Sequence, residues 1–122
     1  MKNFYINFKN KKIKIPDVKK LSWFEKGIGL MFSPRKNAKA LLFEFKKPAK
    51  MSFTSWFVFF PFLIIWLDDK NNVLDFKEVK PFTSHIPSEK PCKRVLEIPF
   101  NDNYEEIIKR FFKHSSREKI YK

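Results

Sequence analysis

Phe4, Ile6 and Phe8 alternate with polar neighbours, and Ile13 and Ile15 resume the alternation beyond Asn10-Lys11. A period of two is the mark of a strand with one buried face, so the N-terminus is predicted to form a β-hairpin. Pro16-Asp17 interrupts the pattern. Asp17 is suited to cap a short helix that carries Val18, Leu21 and Phe24 along one side. Gly27 and Gly29, the only glycines, follow at once and fit a helix stop and a tight turn. Residues 33–39 read as a polar, basic loop. Alternation returns over 40–45, with Leu41, Phe43 and Phe45 on one face and Leu42 and Glu44 on the other, until Lys46-Lys47-Pro48 ends the strand.

The run from position 51 to position 67 carries no charge, with Lys50 before it and Asp68-Asp69-Lys70 after it. It barely reaches the lower limit of about 17 residues for a membrane-spanning helix. Ser52, Thr54 and Ser55 lie at its start, and Pro61 would remove a hydrogen bond from any helix in its middle. Its Phe, Trp, Val and Ile favour strands. Two core strands, over 54–60 and 62–67 and broken at Pro61, are therefore expected. Near-continuous apolarity implies that they are buried on both faces.

Asp68-Asp69-Lys70-Asn71-Asn72 is a strong turn signal. A strand is predicted over 73–79, a loop rich in Pro, Ser and Lys over 80–91, and a short strand over 94–98. Asp102 and Glu105 have the spacing of a capping box. Tyr104, Ile107, Ile108 and Phe111 then recur at helical spacing, opposite Glu106, Lys109, Arg110 and Lys113. The basic tail, 114–122, is expected to fray or to add an edge strand at Lys119-Ile120-Tyr121. Together these elements predict one domain, 1–122. Its class is mainly β (a β-rich α+β fold): a small, barrel-like antiparallel sheet, a short helix after the N-terminal hairpin and an amphipathic C-terminal helix.

The chain has 122 residues, enough for one real core. Twenty-six Lys and Arg against 13 Asp and Glu give a formal charge of +13, which attracts polyanions and keeps nucleic acid, anionic lipid and acidic proteins in view as partners. The charge is mostly Lys and is spread along the chain, so a simple lysine bias explains much of it. The N-terminus has no apolar stretch or small-residue cleavage site of the signal-peptide kind, and the cytoplasm is the expected compartment.

The residues offer little for catalysis. His85, His114 and Cys92 are the whole His and Cys complement, and none has metal-ligand spacing. No metal or cofactor is expected. Two glycines cannot build a phosphate loop, and no Gly-x-Ser-x-Gly elbow is present. Cys92 lies between Lys90-Pro91 and Lys93-Arg94, where positive charge favours thiolate, yet no base or oxyanion site accompanies it. It reads as an incidental loop cysteine. Glu97 is the one acid inside the strand predicted over 94–98. Solvent exposure or pairing with Arg94 or a lysine is the expectation; if buried, it would have a raised pKa and could act as an acid or base.

Several motifs, in order, resemble those of domain of unknown function 192. Gly29-Leu30-Met31-Phe32 resembles its Gly-Leu-Met-Phe signature. Residues 40–45 resemble its first core strand. Residues 53–67, ending in Leu67-Asp68, resemble its aromatic stretch with Pro61 on the proline. Asn72-Val73-Leu74, Lys80-Pro81-Phe82 and Val95-Leu96-Glu97-Ile98-Pro99 resemble the segments that follow. The resemblance spans roughly residues 20–100 and implies a barrel-like, mainly β fold with short helices. It implies no activity. Leu63 and Thr54 replace an acid and a histidine of the family pattern, and the glycine that follows its Leu-Glu motif is absent here.

The functional expectation is a non-enzymatic binding or interaction module, its contact loops at 33–39 and 80–93. Arg35, Lys36, Phe82, Ser84, His85, Arg94 and Glu97 form the candidate surface, for a protein partner or another ligand. The alternative is single-stranded nucleic acid, RNA or another polyanion held by basic loops with interleaved aromatics such as Tyr5 and Phe8.

Overall fold

The N-terminal hairpin pairs strand β1 (Lys2–Phe8) with β2 (Lys11–Leu21) through a two-residue turn, Lys9-Asn10. Both turn residues have positive φ, 50° and 65°, the left-handed pair that matches the twist of flanking strands. The structure, a computed structural model, describes residues 2–21, 35–49, 52–53, 60–81, 86–87 and 92–113. The further strands are β3 (Leu41–Ala49), β4 (Ser52–Phe53), β5 (Phe62–Leu67), β6 (Val73–Val79), β7 (Ile86–Pro87) and β8 (Cys92–Pro99). Among the described residues there is one α-helix, α1 (Glu105–Lys113), which follows a 3₁₀ turn at Asp102–Tyr104.

Six strands form one sheet in the order β1-β2-β3-β8-β5-β6, and β4 pairs with β7 apart from it. All neighbours in the large sheet are antiparallel except β2 and β3, which run parallel. The sheet curls into a half-barrel, and its first and last strands touch at a bridge between Asn7 and Asn72. β5 is central, between β8 and β6, and all six of its residues are buried. For Phe62–Leu67 this is the fate expected of the uncharged run: core strand, buried on both faces. Among the described residues no helix is long and apolar enough to cross a membrane.

Alternation sorts the core into two clusters. Leu42, Leu96, Ile65 and Phe76 are cross-strand neighbours and face the inside of the curl, with Ile6, Ile13 and Ile15 from the hairpin. Ile107, Ile108, Phe111 and Phe112 of α1 pack on this inner face. The Phe111 ring stacks on Phe8 at 4.5 Å and meets Phe76 edge-on at 5.1 Å, geometries that aromatic pairs favour. The outer face carries Leu41, Phe43, Val95, Phe62, Ile64 and Trp66.

Beyond β3, which runs through Lys46-Lys47-Pro48 to Ala49 instead of ending there, three local features differ from the sequence reading. First, β2 does not end at Pro16-Asp17 but runs on to Leu21, so Asp17 caps no helix there. Asp17 instead adopts φ 53°, and the kink hands β2 from its partner β1 to β3. Tyr104 secures that handover: its buried hydroxyl donates to the Asp17 carbonyl at 3.2 Å and accepts from the Ala40 N–H at 2.9 Å. Second, the helical segment is capped by Asn101, whose side chain accepts from Asn103 N–H, not by Asp102. Third, Cys92 is no loop residue; it opens β8 and is buried. The strand predicted over 54–60 mostly falls outside the described residues, as does most of the loop predicted over 80–91, within which β7 appears. Phe60 is a bend, and β5 begins directly after Pro61. The helix stop at Gly27 and Gly29 and the tail beyond Lys113 also lie outside the described residues.

Candidate ligand site at the barrel mouth

The inner face ends in a charged row. Glu44 on β3 pairs with Arg94 on β8, and Arg94 with Leu67 on β5. Each position shares parity with a buried neighbour two residues away, Leu42 or Leu96, so alternation itself turns both charges inward. The Arg94 Nε donates to Glu44 Oε2 at 2.8 Å, and Lys20 from β2 pairs with the other carboxylate oxygen.

The β5–β6 turn completes the arrangement. The Asp68 carboxylate accepts from the backbone N–H of Lys70 at 2.9 Å and of Asn72 at 2.8 Å, and from Asn72 Nδ2 at 3.0 Å. Partial burial would raise the Asp68 pKa, but the hydrogen bonds from Asn72 and Lys70 outweigh it and hold the group below its ordinary value. Asn71, at φ 65°, then presents its side-chain oxygen to Arg94 Nη1 at 2.8 Å, and the Asp69 carbonyl accepts from the same nitrogen at 3.0 Å. The Asn7 N–H on β1 donates to the Asn71 carbonyl at 2.8 Å and ties the turn across the seam. Arg94 is thus held by a side chain of β3 and by the β5–β6 turn. Glu44 lies below the ordinary carboxylate range, chiefly through its hydrogen bond from Lys20, with Arg94 adding to it against partial burial.

Around this row opens a recess of about 600 Å³. Among the described residues its charged lining is Lys2, Lys19, Lys20 and Arg94 against the carboxylate of Glu44. Its apolar lining is Phe4, Val18 and Leu42, the last two only 6% and 5% exposed. A recess of this size, apolar at its base with a few fixed polar groups, suits a small molecule, and the mouths of β-barrels are common places for one.

Of the expected surface residues that are described, Arg94 belongs to the recess and Arg35, Lys36 and Glu97 do not. Glu97 lies on the opposite face of the same strand, against Leu41 and Ile64. It is neither solvated nor ion-paired, as expected from sequence, but buried at 5% exposure, and that burial pushes its pKa up to about 8. Among the described residues its carboxyl has no hydrogen-bond partner, and none of the described recesses is lined by it. Trp66, its diagonal neighbour on β5, is buried there too, with an indole N–H that has no hydrogen-bond partner.

Arg35 is remote from both. Its Nε donates to the Phe100 carbonyl at 2.6 Å, and Asn101 Nδ2 returns a bond to the Arg35 carbonyl at 2.8 Å. Lys36 is exposed beside it on the 3₁₀ turn Arg35–Asn37. Phe82, Ser84 and His85 lie outside the described residues. Sequence reasoning missed Lys2, Lys20, Glu44 and Asn71 as a group. The parity of Glu44 with Leu42 was visible, but the strand register that brings them together was not.

The family model for DUF192, described as Uncharacterized ACR, matches residues 9–106, and the chain belongs to that family. No curated protein matches it. Two crystal structures resemble the fold at 17% identity. One is a protein of unknown function from Novosphingobium aromaticivorans, with a TM-score of 0.67 over 86% of this chain and 76% of that one. The other, from Sinorhizobium meliloti and provisionally named a transcription regulator, has a TM-score of 0.68 over 84% of this chain and 81% of its own. At that identity the likeness speaks for the fold alone.

Proposed function

Starting from membership of an uncharacterised family, we propose that this domain is a non-enzymatic binding module whose ligand enters the recess at the barrel mouth. One observation carries the reading: Arg94, braced from β3 and from the β5–β6 turn, stands with three lysines around an apolar floor. Fixed polar groups over apolar lining give orientation and affinity together. We place the domain in the cytoplasm, to be checked by fractionation of the native cell.

The test is a mixed library of small fragments added to ¹⁵N-labelled protein. The expected result is a set of amide shifts clustered at Lys2, Phe4, Val18, Leu42, Asn71 and Arg94. Shifts gathered instead around Arg35 and Lys36, or beside Glu97, overturn the reading. Nucleic acid is the weaker occupant, because single strands need stacking rings along a basic groove. Among the described residues the only large apolar side chain that is exposed is Tyr5, at 44%, and Lys12 covers its ring at 5.1 Å. Tight, steeply salt-dependent binding of a short oligonucleotide would restore the polyanion reading.

A further inference from the structure

Resting on the mouth as the place of binding, we infer that its occupant is an amphiphilic anion: an oxyanion head, carboxylate or phosphate, on a short apolar body. Among the described residues lining the recess four are cations and one is a carboxylate, so a ligand with a negative head meets a net attraction there. Phe4, Val18 and Leu42 offer that head no hydrogen bond; they call for hydrocarbon beneath it. A neutral apolar ligand would leave the cationic rim unused. A bare inorganic anion would leave the floor in water.

Glu44 has a particular place in this scheme. Its carboxylate already occupies Lys20 and Arg94, so it stands where an incoming head would stand. The ligand either joins Lys2 at the rim or competes with Glu44 for its partners. In both cases the negative charge of Glu44 opposes binding. Replacing it with the neutral isostere should therefore tighten the complex severalfold, more than one added unit of net charge does for non-specific adsorption to a basic protein.

The experiment measures binding of octyl phosphate, octanoate, octanol and inorganic phosphate by calorimetry, with amide shifts locating each. Octyl phosphate or octanoate is expected to bind at least tenfold more tightly than octanol or inorganic phosphate, and the comparison of the two identifies the head group. Shortening octyl to hexyl should weaken binding about fourfold per methylene. Lys2→Glu with Lys20→Glu, both at exposed positions, should weaken it tenfold or more. Glu44→Gln should tighten it severalfold, with circular dichroism confirming the fold.

Octanol binding as well as octyl phosphate overturns the inference, since the cationic rim then does nothing. Inorganic phosphate binding as well as octyl phosphate overturns it from the other side, since the floor then does nothing. Either result, with shifts at the recess, leaves the mouth standing as a binding place. If no amphiphile moves the recess amides but other fragments do, the ligand class alone fails. If nothing moves them, the mouth itself fails.

Discussion

Glu44 and Glu97 lie on neighbouring strands, three cross-strand pairs apart, yet they live in opposite electrostatic worlds. Glu44 faces the mouth, keeps contact with water and is matched by Lys20 and Arg94, so its charged form is favoured. Glu97 faces the outer side, has lost its water and has no partner among the described residues, so its neutral form is favoured. Burial by itself does not decide how a carboxyl behaves; the balance of lost hydration against nearby donors does. An acid that is charged and paired at an open recess can shape ligand binding. An acid kept neutral in a hydrophobic layer is a cost to stability whenever it ionises.

That contrast breaks first on pH. The Glu97 carboxyl, held up at about 8 in the fold, binds its proton more tightly there than in the unfolded chain. Its contribution to stability is complete below the ordinary carboxylate range and is lost as pH rises towards 8. The slope approaches about 1.4 kcal/mol per pH unit, which accumulates to a few kcal/mol. Glu44 has the opposite sign, because its lowered pKa contributes stability that disappears as pH falls below that range. Urea denaturation from pH 4 to 9 should therefore find maximum stability on the acid side of neutrality. Glu97→Gln should flatten the alkaline limb. A variant that keeps the wild-type slope would mean that Glu97 does not titrate in this way.

Arg94→Met comes next in size. It strips Glu44 and Asn71 of a charged donor in a half-buried site, and a loss of about 1–3 kcal/mol is expected. The Glu44 pKa should rise at the same time, which a carboxyl NMR titration would register. Unchanged stability together with an unchanged Glu44 pKa would remove Arg94 as the organiser of the mouth.

On the outer side, Trp66→Phe deletes an indole N–H that is buried without a partner. Release of that unsatisfied donor offsets the lost ring area, so stability should change by no more than about 1 kcal/mol, against about 3–5 kcal/mol for truncating a buried Trp to Ala. A loss of the larger size would reveal a partner for the indole. The smallest effect belongs to Lys20→Met. Lys20 is largely exposed, and exposed ion pairs contribute about 0–1 kcal/mol, less at high salt. An effect that survives molar salt would show the pair to be more enclosed than its exposure implies.

Much of the fold was legible in the chain. Pro61 and an uncharged aromatic run indicated a buried strand, and β5 lies where that argument put it. The Asp68–Asn72 signal is a turn because Asp68 caps three donors within four residues. The apolar spacing of Tyr104, Ile107, Ile108 and Phe111 gave α1 its inward face. Asp17 misled because the same side chain that caps helices also tolerates positive φ, and the choice was made by Tyr104, 87 residues away. Glu97 misled because alternation in a two-faced core does not mark a solvent side: Leu96 and Ile98 face one apolar cluster, and Glu97 faces the other.

The candidate site was the least legible part. Arg94 was visible as a charge in a strand, and Glu44 as a polar break in an alternating one, but nothing local joins residues fifty positions apart. By itself the sequence determined which residues share a face, that β5 starts after Pro61 and that this part of the chain is core, because a period of two and the loss of a proline N–H act locally. Only the tertiary structure decided which strands are neighbours, which face lies inside the curl and where its open end falls. Those depend on pairing and curvature summed over distant segments, and the mouth with its cations exists only once the sheet has closed around it.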